Sequence, residues 1–126
     1  MFIYFEIMIK KFILNLKEPQ LDIINYLKNR FSISSDREMV NKCIKSALNL
    51  KKNDLIFSSV SEKCRGGCFA SEPQFEVELT EDIFIKLKKI YTENSFDDYK
   101  TEEEEIGKVI RCIINFFEDK SDLITF

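Results

Sequence analysis

A chain of 126 residues with 44% hydrophobic and 33% charged residues fits one compact domain, or two halves sharing one core, and argues against disorder. It has no His, which removes the commonest general base and a common metal ligand, and its 12 Phe without any Trp fit AT-rich coding. The net charge of −3 is unevenly divided: residues 1–63 hold 11 Lys+Arg and 7 Asp+Glu (+4), and residues 64–126 hold 8 and 15 (−7). Such a split points to a polyanionic partner for the first half, although any single one of these charges is most simply a solvated helix face.

Residues 1–9 form an apolar run that is too short to span a bilayer, which takes ~20 apolar residues, and Glu6 interrupts it. The run also lacks the positive n-region and small-residue cleavage site of a signal peptide. It is expected to be an apolar arm or an extra strand, with Met8 as an alternative start. No membrane association is expected, and the cytoplasm is the expected location.

A strand is predicted over 10–17, because Phe12, Leu14 and Leu16 alternate with Lys11, Ile13 and Asn15. Pro19 then suits a first helical turn, where its missing N–H costs nothing, and Leu21, Ile24 and Leu27 give a helix over 19–29. After a turn at Arg30 to Ile33, Ser34 or Ser35 caps a second helix, with Glu38 completing a capping box. That helix carries Met39, Val40, Cys43, Ile44, Ala47 and Leu48 on one side, with Lys42 and Lys45 outside.

Residues 51–72 read as a linker rich in turn residues, in which Leu55, Ile56 and Phe57 form an apolar patch that can dock on the body. Cys64 and Cys68 flank Gly66 and Gly67 in this linker; a local disulfide, two thiolates for zinc and free thiols all remain open. Zinc would need further ligands, and no His supplies them. Cys43 and Cys112 fall at nearly equivalent places in second helices, and Cys43 reads as a small buried hydrophobe.

A second strand is predicted over 74–79, followed by Thr80 as a cap, a helix over 81–93, and a turn over 94–100. Thr101 caps a last helix over 102–118, with Glu104 completing its capping box, and 119–126 form a short tail. Phe12 to Glu18 therefore lines up with Phe75 to Glu81, about 63 residues later. A strand and two short helices cannot enclose a core alone, so the copies at 10–50 and 73–118 are expected to complete each other. The expected fold is mainly α, with a short two-stranded antiparallel β-ribbon.

This doubled strand–helix–helix plan resembles the ribbon–helix–helix (MetJ/Arc) superfamily of DNA-binding regulators, with Pro73 to Leu79 similar to an Arc-type ribbon. Two copies in one polypeptide are similar to tandem members among plasmid-transfer proteins and archaeal viral transcription regulators. The resemblance implies a single-chain pseudo-dimer that inserts its ribbon into the major groove, as a transcriptional regulator such as a repressor, in host cytoplasm if the chain is viral. It implies base contacts from Lys11, Ile13 and Asn15 in the first copy, and from Gln74, Glu76 and Glu78 in the second. It also implies a phosphate held at the start of the second helix by Ser34 and Ser35, with Arg30 and Arg37 nearby. The corresponding Glu102 to Glu105 would repel that phosphate, so DNA contact is expected mainly from copy one.

The expected partners are double-stranded DNA and further copies of the chain, with a dimer or higher assembly on DNA. Copy one could instead pair with copy one of another chain. A protein-interaction module, antitoxin-like or binding a basic partner through the acidic half, is the competing class. No enzyme is expected, because no nucleophile–base pairing or phosphate-cradling glycine loop stands out, and no cofactor is expected.

Overall fold

The structure is a computed structural model that describes residues 9–16, 18–51, 56, 74–93 and 101–125, with backbone alone for Phe12, Asn15, Gln74 and Phe75. The chain is mainly helical with a small antiparallel sheet. Its elements are β1 (Ile9–Asn15), α1 (Glu18–Phe31), α2 (Asp36–Leu50), β2 (Gln74–Thr80), α3 (Glu81–Glu93), α4 (Glu102–Phe117) and a short 3₁₀ turn at Ser121–Leu123. The first strand begins and ends slightly earlier than its hydrophobic pattern indicates: Ile9 already pairs with Thr80, and α1 starts at Glu18 with Pro19 inside its first turn.

Strand β1 pairs antiparallel with β2 of the same chain, in a register that sets Lys11 opposite Glu78, Ile13 opposite Glu76 and Asn15 opposite Gln74. The alternation predicted for the strands holds wherever side chains are described. Leu14, Leu16, Val77 and Leu79 are buried, while Lys11, Ile13, Glu76 and Glu78 are exposed. Each fully buried leucine of this kind contributes roughly 1.5–3 kcal/mol of transfer free energy. Lys10, near the start of β1, places its ammonium over the Phe84 ring, 4.3 Å from the centroid, joining β1 to α3.

The predicted cap hydroxyls of Ser35, Thr101 and Thr80 each accept a backbone N–H. The Ser35 hydroxyl accepts from the Glu38 backbone N–H at 3.3 Å, and the Thr101 hydroxyl accepts from that of Glu104 at 3.2 Å. Thr80 accepts from the N–H of Ile83 at 3.4 Å while still ending β2. Helix α1 closes with Ser32 in the left-handed region at φ 56° and the Ile33 N–H bonded to the Lys28 carbonyl at 2.9 Å, a Schellman ending without its usual glycine.

The core lies under the inner sheet face, and α4 is its centre. That helix packs against α1, α2, α3 and β1. Ile106 to Phe117 are all buried, including Lys108, Arg111 and Asn115. Those three polar residues lie at i, i+3 and i+7 on one face, where Gln20 of α1 donates to the Asn115 side-chain oxygen at 3.2 Å. Gly107 sits where α4 approaches the sheet: a Cβ there would lie 3.7 Å from Leu14 Cδ1 and 3.1 Å from the Arg111 guanidinium.

Helix α2 buries Met39, Val40, Cys43, Ile44 and Ala47 as its spacing indicates, leaves Leu48 half-buried, and also buries Ser46. Ser46 is buried because the C-terminal segment crosses it. Its hydroxyl accepts from the Thr125 N–H at 3.0 Å and donates to the Thr125 carbonyl at 3.3 Å, and Ile124 enters the core. Ile56, from the apolar patch of the linker, is also in the core. The arm 1–8, the rest of the linker with Leu55, Phe57, Cys64 and Cys68, and the turn 94–100 lie outside the described residues. No helix among the described residues is long and apolar enough to cross a membrane.

Candidate nucleic-acid interface

The six residues singled out as base readers occupy three directly opposed positions of the ribbon. Lys11 faces Glu78, Ile13 faces Glu76 and Asn15 faces Gln74. Four of them have described side chains, and all four are exposed, Ile13 at 51%. Period-two geometry makes this arrangement: the strands turn their apolar residues to the helices and leave the alternate positions to solvent. The side chains of Asn15 and Gln74 lie outside the described set.

Electrostatics differ between the two strands of this face. Lys11 and Glu78 approach to 3.5 Å, both well exposed, so the only described cation on the outer face of the ribbon already has a carboxylate beside it. Glu76 adds a second negative charge next to the apolar Ile13. An exposed pair of this kind exchanges readily with solvent and other ions, and typically contributes at most about 1 kcal/mol.

The second cluster lies at the corner between α1 and α2. Ser34 is exposed and Ser35 is committed to capping α2. Arg37 is exposed on the first turn of α2, near the helix end whose N–H groups favour an anion. Two further cations here are held by carboxylates. Lys28 donates to Asp36 Oδ1 at 2.6 Å, and Arg30 forms an ion pair with Asp122, which follows α4. Arg30 also donates to the Tyr26 hydroxyl at 3.4 Å. The hydrogen bond from Arg30, and then one with Ser121, hold the Tyr26 hydroxyl below its ordinary value.

The α1–α2 corner thus balances its cations with Asp36, Glu38 and Asp122, whereas the matching corner between α3 and α4 is predominantly acidic. Glu102 to Glu105 open α4, where carboxylates favour the positive end of the helix. Lys88 of α3 pairs with Glu105 and, at 3.7 Å, with Glu102; the Glu105 hydrogen bond is the main reason its ammonium is held above the ordinary lysine value.

Sequence reasoning therefore picks out the exposed ribbon positions and the serine cap, and misses the carboxylates that engage their neighbours. Lys28 with Asp36 is legible in retrospect, being a lysine in the last turn of one helix and an acid in the first turn of the next. Asp122 carries no such signal, because it lies 92 residues from Arg30.

The chain matches no protein-family model, no curated protein and no solved structure.

Proposed function

We propose that this protein is a ribbon–helix–helix transcriptional regulator, in which the two copies of one chain stand in for the two subunits of a dimer and the ribbon reads the major groove. One observation carries the reading. Ile13 and Glu76, which occupy equivalent places in the repeat, face each other across the ribbon, and the pairs on either side are exchanged by the same equivalence. Lys11 corresponds to Gln74, and Asn15 to Glu78, so the pairs Lys11–Glu78 and Asn15–Gln74 are mates about a local two-fold centred on Ile13 and Glu76. A dimeric ribbon has this register. The exposed outer face and the helices packed beneath it add the geometry that a groove-entering ribbon needs.

In this reading Lys11 donates to guanine O6 or N7, Asn15 pairs with adenine, and Ile13 meets a thymine methyl. Gln74 joins the readout, and Glu76 and Glu78 accept from cytosine N4 or disfavour other bases. Ser34, Ser35, Arg30 and Arg37 hold a backbone phosphate at the start of α2, and the Glu102–Glu105 end of α4 does not. A ribbon of this length reads few base pairs, so further chains assemble on an operator. Fluorescence anisotropy on AT-rich duplexes tests the proposal. Lys11→Ala and Asn15→Ala each weaken binding to the preferred duplex by about 1–3 kcal/mol. If both variants bind like the parent at every salt concentration, the ribbon is not the reader.

A second reading has its own observation. With one lysine against two glutamates, and that lysine paired to Glu78, the described outer face of the ribbon is acidic. A protein-interaction module that presents this face to a basic partner fits that charge. No retention of the protein on heparin at low salt moves the assignment to this class.

A further inference from the structure

We infer that Asp122 is a built-in competitor for phosphate: it holds Arg30 while the interface is empty and gives way when a polyanion arrives, so the C-terminal segment sets the strength of binding. The natural competitor rests on the DNA-binding reading above; the latch itself does not. Arg30 closes α1 beside the turn that leads to the Ser35 cap of α2, and Asp122 reaches it from the far end of the chain.

The carboxylate is delivered by an anchored support. Residues 121–123 form a 3₁₀ turn, closed by the Leu123 N–H on the Lys120 carbonyl at 3.0 Å and the Ile124 N–H on the Ser121 carbonyl at 3.1 Å. Ile124 is buried, and Thr125 is bonded twice to Ser46 of α2. The segment therefore stays docked whether or not its ion pair is made. The pair itself is open to solvent, with the Asp122 side chain 83% and the Arg30 side chain 41% exposed. An incoming anion can take the guanidinium by a side-chain rotation alone, and the bidentate fork of an arginine suits a phosphate as well as a carboxylate.

Competition gives this latch a signature. Arg30 must give up its pair with Asp122 before it meets a phosphate, so the native contact adds less affinity than a free arginine would, by the worth of one exposed ion pair, about two- to fivefold.

The test compares the full chain with Asp122→Asn, on a heparin column and against a short duplex. The control is Asp119→Asn, which removes the same charge from an exposed position three residues earlier. Asp122→Asn is expected to elute from heparin at higher salt and to bind the duplex about two- to fivefold more tightly. Asp119→Asn shows none of these changes, and all of them vanish in an Arg30→Ala background. Unchanged heparin elution, an equal gain from Asp119→Asn, or a gain that survives Arg30→Ala overturns the latch. A heparin shift without duplex binding leaves the latch standing and removes the DNA-binding reading. Duplex binding that is indifferent to Asp122→Asn does the reverse.

Discussion

At the scale of single residues, one strongly displaced group among the described residues is buried in the core. Burial pushes the Cys43 thiol up from an ordinary 9.0 to about 12. The folded chain keeps this proton at pH values where the unfolded chain releases it. Cys43 therefore costs no stability below pH 9 and progressively destabilises as pH rises from 9 towards 12. Urea unfolding should show the parent losing about 1 kcal/mol more than Cys43→Ala between about pH 9 and pH 10. Equal losses in the two proteins would show that the thiol is not sealed from solvent. The burial of Cys43 is legible in the sequence, because it lies one residue before Ile44 on an amphipathic face. The pairings of Gln20 with Asn115 and of Arg30 with Asp122 are not legible: they span 95 and 92 residues, and local periodicity carries no information about which distant side chain meets which.

At the scale of elements, the alternation of β1 and β2 and the two helix caps follow from rules that act within a few residues, and these are the parts that sequence predicts well. Helix α4 is where that reasoning stops. Lys108, Arg111 and Asn115 repeat at a spacing that normally marks a solvent face, yet all three are buried where α4 is packed among α1, α2, α3 and β1. Tertiary enclosure overrides the pattern there, as it does for Ser46 under the C-terminal segment. The local rules still make quantitative predictions. Ser32 holds a left-handed conformation at φ 56° that glycine adopts without strain, so Ser32→Gly should raise stability by about 1 kcal/mol in thermal or urea unfolding. Thr101→Ala should lower it by about 1 kcal/mol, because the Glu104 N–H loses its acceptor, while Thr101→Gly costs only a few tenths.

At the scale of the whole molecule, β1 pairs with β2 of the same chain, and in the proposed pseudo-dimer each half finishes the other within one polypeptide. Sedimentation of dilute protein should give a folded monomer, with a second chain joining only on DNA. A chain that is folded only as a dimer at every concentration would mean that strands pair between chains. The repeat is hydrophobic in its symmetry and chemical in its asymmetry. Both copies bury the same strand faces and cap their second helix with a hydroxyl, but Lys11, Asn15 and Arg37 stand in one copy where Gln74, Glu78 and Glu103 stand in the other. The central claim is that the outer face of this ribbon lies in a major groove. Dimethyl sulfate modification of guanine N7, a major-groove atom, on the protein's own upstream DNA tests it most directly. N7 protection by the parent chain should disappear with Lys11→Ala; binding without N7 protection, or protection indifferent to Lys11, would contradict groove entry by the ribbon.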